Sequence, residues 1–233
     1  MTVKSPQVLI VYYTHTQQAR RVADATADVL RSRGCNVTLT AIEFVDSRYK
    51  KRFDDFPFKR LYLDLFAMLL PQVRRATGEI IVSEEALEGD YDLICIGSPT
   101  WWLTTCMPVR SFMKSDAAAK LLKGRKLAVY VVCRRYWRNN LMTVTTLGTG
   151  LGAQFIKGAH FAYAGGQIRS MLALLSYYGS GQYKKRYLGV PIPRTNLTPD
   201  FEAVALLFAN ELADDLLVQE VPAAWSTPIS VAS

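Results

Sequence analysis

The chain has 233 residues, 50% of them hydrophobic and 21% charged, which suffices for one α/β domain with a well-buried core and some embellishment but is short for two. No window reaches the roughly 18–20 unbroken apolar residues of a membrane-spanning helix, and the opening "MTVKSPQ" lacks the apolar centre of a signal peptide, so a cytoplasmic protein is expected. A net charge of +8 admits anionic lipid or a polyanionic small molecule as partner, whereas nucleic acid is set aside because no RNP or zinc-finger motif accompanies it.

Residues 8–13, "VLIVYY", form a short continuous apolar run of β-prone residues, as expected of a strand buried on both faces of a parallel sheet. Ala19, Val22, Ala23 and Leu30 then recur near helical spacing, and Gly34 is placed to end that helix. "NVTLTAI" (36–42) alternates like a second strand. A first insertion spans about 46–80. Between Arg48 and Arg75 it holds eight basic residues against three acidic ones, around the nearly all-apolar "LYLDLFAMLL". That segment predicts a helix packed on its own domain or against a second subunit, which makes a homodimer the expected assembly. A lid over an apolar substrate, or a surface helix making peripheral contact with anionic membrane, is the alternative.

"YDLICIGS" (91–98) and "KLAVYVVC" (126–133) repeat the buried-strand signature, and a further strand is expected near Gln154–Phe161. A second insertion, about 162–197, carries paired glycines, an apolar stretch and a proline-rich exit, and is a candidate wall of a binding site. A last helix follows. Thr198 is its candidate N-cap, Pro199 its first helical position, and Phe201, Val204, Ala205, Phe208, Leu212 and Leu216 share one face. The alternation of strands and helices predicts an α/β, doubly wound parallel sheet. Cys35, Cys95, Cys106 and Cys133 lie far apart without C-x-x-C pairing, and only His15 and His160 accompany them, so no metal site is expected.

In an open parallel sheet, ligands bind beyond the carboxyl ends of the strands, so the loops after strands one, three and four belong together. They read "THTQQA", "SPTWW" and "CRRYWRNN". The first would surround a helix N-terminus with the hydroxyls of Thr14 and Thr16, the amides of Gln17 and Gln18, and unpaired backbone N–H groups, a setting that receives phosphate. The others supply Trp101, Trp102, Arg134, Arg135, Tyr136 and Trp137, aromatic and cationic surface for a planar ring with an anionic tail. Each has a plainer reading: His15 as a solvated turn residue, the tryptophans as core or interface aromatics, the arginines as surface charge, and His160 as a structural histidine.

The order of "VLIVYYTHTQQA", "DLICIGSPTWW" and "YVVCRRYW" resembles the flavodoxin-like superfamily, and more closely its NAD(P)H-dependent, quinone-reductase-type oxidoreductases than its small electron carriers. The resemblance covers most of residues 7–160 and the final helix. It implies a single flavodoxin-like domain over 1–233 with a five-stranded sheet of order 2-1-3-4-5. It places FMN phosphate on Thr14, His15, Thr16, Gln17, Gln18 and Ala19. The isoalloxazine ring would lie between Ser98, Pro99, Thr100, Trp101 and Trp102 on one side and Cys133, Arg134, Arg135, Tyr136 and Trp137 on the other. Gln17 stands where the family's phosphate loop has glycine, and Ala19 where it has its last threonine, which removes one hydroxyl donor. The activity implied is transfer of two electrons from NAD(P)H through FMN to a quinone-like acceptor, with Tyr136 or His160 as proton source. Rival readings are an electron carrier, a flavin-assisted dehydrogenation that aromatises a cyclic polyketide-like, dialkylresorcinol-type precursor, and a scaffold without flavin.

Overall fold

The computed structural model describes residues 5–50 and 56–217; Lys51 and Arg52 of the basic segment lie outside them. The chain runs through β1 (Gln7–Tyr12), α1 (Gln18–Ser32), β2 (Asn36–Ala41) and the two-residue β3 (Glu43–Phe44). Two short helices, α2 (Leu61–Ala67) and α3 (Leu69–Val73), lead to β4 (Ile80–Ile81), the single turn α4 (Glu84–Leu87) and β5 (Leu93–Trp101). Then come β6 (Thr104–Thr105), α5 (Met107–Met113), α6 (Asp116–Leu122), β7 (Lys126–Cys133) and α7 (Trp137–Gly150). Last are β8 (Gln154–Ala162), α8 (Gln167–Ser180), the ribbon β9 (Arg186–Tyr187) with β10 (Val190–Pro191), and α9 (Phe201–Leu217).

The central sheet has the order β2-β1-β5-β7-β8 with every adjacent pair parallel, which is the 2-1-3-4-5 order expected once the short strands are set aside. The apolar runs are continuous because both faces are covered. Val8 and Ile10 pack on Val22, Ala27 and Leu30 of α1 and on Ala205 and Leu212 of α9. Leu9 and Val11 turn the other way, toward Val109 and Phe112 of α5 and Val144 of α7. Each such side chain, fully buried, contributes about 1.5–3 kcal/mol, so the core rather than the rim sets the fold's stability.

Both insertions leave from defined points. β3 and β4 pair antiparallel, Val45 N–H donates to the Glu79 carbonyl at 3.1 Å, and the Asp46 carboxylate accepts from Glu79 N–H at 3.0 Å, forming a neck for the first. Arg48 bonds the same carboxylate and, against the opposing effect of burial, holds its pKa down at about 2. The all-apolar segment is two short helices rather than one, and one side of them faces solvent. The start of the last helix also differs from expectation. Thr198 donates to the Asp200 carboxylate instead of capping, residues 198–202 form tight i→i+3 turns, and the helix begins at Phe201. Of its predicted inward face only Val204 points out.

Candidate functional site

The three strand ends meet at one rim of the sheet. Thr14, His15, Thr16 and Gln17 form the loop after β1, and Gln18 and Ala19 open α1. Gln17 adopts φ 62°, the left-handed conformation that glycine ordinarily supplies, so the backbone turn of a phosphate loop is present although its residue is not. No side chain caps the first turn of α1, and no acidic residue lies in it. This leaves N–H groups and the positive end of the helix dipole facing the rim. Tyr130 fixes that turn from below by donating to the Ala19 carbonyl at 2.8 Å. It can do so because Gly97 has no Cβ, which would stand 2.2 Å from the Tyr130 hydroxyl.

Gln18 is buried and serves as a tether. Its amide donates to the Thr16 carbonyl (2.8 Å), and its oxygen accepts from Arg21 (3.0 Å) and from Leu197 N–H (3.1 Å), joining the first loop to the end of the second insertion. Burial holds the phenol of Tyr163, beside Thr16, well above its ordinary pKa, and Tyr163 N–H donates to the Cys133 carbonyl at 2.9 Å. The His15 ring lies among Phe58 (5.3 Å between centroids), Phe56 (5.8 Å) and Tyr178 (6.1 Å). Burial there pushes its pKa down to about 4. His15 is thus no solvated turn residue, because aromatic rings from both insertions close over it.

Ser98, Pro99, Thr100 and Trp101 do not form a loop, as the sequence reading expects, but extend β5 and fold back on β6 with Trp102 at φ 55° in the turn. Threonine and tryptophan suit a strand, and cross-strand pairs Thr100–Thr105 and Trp101–Thr104 complete the hairpin. Asn140 of α7, fully buried and unforeseen, holds it. Asn140 Oδ1 accepts from Ser98 (2.9 Å) and Thr105 (2.7 Å), while its Nδ2 donates to the Ser98 carbonyl (3.2 Å) and Thr100 Oγ1 (3.0 Å). The Ser98 hydroxyl is therefore withdrawn into the interior. Trp101 meets Tyr13 edge-on at 5.6 Å, and Gln72 of α3, also unforeseen, donates to the carbonyls of Thr105 (2.6 Å) and Trp101 (3.3 Å).

The third loop comprises only residues 134–136, since Cys133 ends β7 and Trp137 begins α7. The Cys133 side chain faces the core, where burial pushes the thiol up to about 12, so only its backbone reaches the rim. Arg134 donates to the Gln167 carbonyl (2.6 Å) and Ser170 Oγ (3.0 Å), and Tyr136 Oη accepts from Gln167 Nε2 (3.0 Å). Asn139 donates to the Leu103 carbonyl at 2.8 Å, which sets this loop beside the β5–β6 hairpin. Arg135 is exposed. His160 lies level with Val131 on the edge strand, stacked on Trp137 at 4.1 Å and 9°. Burial and the nearby Arg138 lower its pKa. Among the described residues no cluster of three His, Cys, Asp or Glu side chains is placed to hold a metal.

A groove of about 470 Å³ opens between the two insertions, lined by residues such as Phe58, Arg60, Leu63, Leu175, Lys184 and Tyr187. None of the residues expected to hold the cofactor lines it, whereas Lys59 and Arg60 of the basic segment and Leu61, Tyr62 and Leu63 of the apolar one do.

The sheet order and the rim define a flavodoxin-like fold. No protein-family model matches the chain, and no curated protein matches it in sequence. Among solved structures it is similar to a flavoprotein in complex with FMN from Lactobacillus acidophilus NCFM, with 17% identity and a TM-score of 0.51 over 67% of this chain and 93% of that one. It is also similar to oxidised Flavodoxin 1 from Bacillus cereus, with 13% identity and a TM-score of 0.47 over 89% and 97% of the two chains. The likeness is one of fold. The chemistry rests on the residues described above, and these suit FMN: hydroxyls and an uncapped helix end for a phosphate, tryptophan and tyrosine for a flat ring.

Proposed function

We propose that this chain binds FMN and is an oxidoreductase that passes two electrons from NAD(P)H to a quinone-like or other conjugated acceptor. The observation that carries this reading is that the segments bearing Thr16, Trp101 and Tyr136 leave the same rim of the sheet, with Trp101 packed on Tyr13 and Asn139 donating to the Leu103 carbonyl beside it. FMN, when bound, accepts hydride and releases electrons in pairs or singly.

The remaining work falls to the chain. Thr14, Thr16 and the first turn of α1 would hold the phosphate. Trp101, fixed by Tyr13 and Gln72, and the more exposed Trp102 would wall the ring, and the aromatic cap over His15 would keep water from the phosphate end. Tyr136 accepts from Gln167 and so keeps its own hydroxyl proton to donate to a reduced acceptor. Arg135 supplies a cation for the phosphates of the dinucleotide.

Titrating the protein into FMN should quench flavin fluorescence to saturation. The reading falls if no binding occurs at about tens of micromolar flavin, where stabilisation below roughly 6–7 kcal/mol would be invisible. Stopped-flow mixing with NADPH then separates enzyme from carrier. Rapid two-electron reduction supports the oxidoreductase, whereas stepwise one-electron reduction with no response to NADPH marks an electron carrier.

A further inference from the structure

We infer that the α2–α3 face of the first insertion is a peripheral docking surface for an anionic membrane leaflet. Between Lys59 and Arg75 the apolar residues run all round the two helices, yet only one side is used internally: Met68 and Gln72 are buried against the domain. The opposite side carries Tyr62 (49% exposed), Leu63 (69%), Phe66 (61%), Leu70 (54%) and Val73 (68%). Tyr62, Leu63 and Phe66, at spacings of three and four, share a side of α2, and Leu70 and Val73, three apart, share a side of α3. Phe66 continues the apolar surface onto Trp102, 6.1 Å away, and exposed Leu103 follows. Contiguous apolar surface of this kind marks a contact site, and an aromatic pair at its border suits the lipid headgroup zone.

Charge selects the occupant. Exposed Lys59 and Arg60 stand at one end of the segment and exposed Arg74 and Arg75 at the other, with Asp64 the single carboxylate between them. Arg60 also lines the groove between the insertions, beside Leu63 and with Lys184 across from it, a place where an anionic headgroup finds two cations. A second copy is the poorer partner. An isologous contact over this face would bring the cationic ends of one pair of helices against those of the other. An anionic leaflet meets both ends with opposite charge, each cation adding roughly fivefold to partition. No helix among the described residues is long and apolar enough to cross a membrane, so the contact lies in the interface plane.

Sedimentation of the full chain with extruded vesicles, without flavin, tests this. The protein should pellet with phosphatidylcholine–phosphatidylglycerol vesicles, not with phosphatidylcholine alone, and should be released at ~1 M salt, where the Debye length shrinks to ~3 Å. The pair Leu63→Glu and Leu70→Glu should lower partition at least about tenfold while leaving thermal unfolding unchanged, because both side chains already face solvent. Wild-type protein that stays in the supernatant with anionic vesicles overturns the inference, as does equal pelleting of the double variant. So does a dimer seen by analytical ultracentrifugation that the double variant converts to monomer, since a second copy would then cover the face.

Discussion

At the scale of single residues, the first loop holds two features that sequence alone leaves ambiguous and geometry resolves. Gln17 reads in the sequence as a departure from glycine, but its left-handed backbone shows that the turn survives at a cost of about 1–2 kcal/mol. Gln17→Gly removes that cost and returns part of it as chain entropy. A net stabilisation of about 0.5–1 kcal/mol is expected in denaturant melts, together with tighter FMN binding as the backbone gains room to approach the phosphate. His15 titrates in a window that His160, also depressed by burial and Arg138, partly shares. The unfolded chain takes up a proton near pH ~6.5, whereas the folded ring, desolvated among Phe56, Phe58 and Tyr178, resists until about 4. Its folded value is depressed, so stability is intact above ~6.5 and declines as pH falls toward 4. Asp46, depressed to about 2 by Arg48, acts lower, between ~4 and 2. His15→Phe should flatten the slope of unfolding free energy between ~pH 7 and ~pH 5. A slope as steep as wild type would place the responsible proton elsewhere.

At the scale of elements, strands buried on both faces were legible because nothing but continuous apolar sequence fits there; β7 coincides with "KLAVYVVC". The β5–β6 hairpin was not. Its formation depends on Asn140, 35 residues after Thr105, and no local pattern announces a buried asparagine in a helix of modest amphipathicity. The start of α9 was misread for a related reason, since threonine before proline signals a cap only if its hydroxyl is not taken by a nearer acceptor, here Asp200. The hairpin yields a contrast between neighbours. Asn140→Ala would strand the buried Ser98 hydroxyl, leave Thr105 only its longer bond to the residue-140 carbonyl (3.3 Å), and cost about 2–4 kcal/mol, loosening Trp101 and weakening ring binding. Asn139→Ala removes one exposed bond to Leu103 and should cost no more than about 1 kcal/mol. Urea melts of the two variants, with FMN titrations alongside, check this; equal losses would show that Asn140 does not organise the hairpin.

At the scale of the whole molecule, the doubly wound sheet was readable from alternation and its strand order from the resemblance to flavodoxin-like proteins, while the roles of the insertions were not, because their ring contacts join segments more than a hundred residues apart. Phe58 N–H donates to the Tyr178 carbonyl at 2.8 Å, and Gln18 grips Leu197, so both insertions and the first strand end act as one assembly. A phosphate held by Thr14, Thr16 and the start of α1 would therefore stabilise the entire fold. Ligand at about a hundred times its Kd adds ~2.7 kcal/mol to a protein that binds it only when folded. For a chain of this size that corresponds to a rise of about 5–10 °C in the unfolding midpoint. Riboflavin has the same ring but no phosphate, so it tests the cradle separately from the aromatic walls. FMN should produce the full rise and riboflavin, at equal concentration, only a small part of it. Equal shifts would locate binding in the aromatic walls and leave the helix end without its phosphate; no shift from either would remove flavin from this rim.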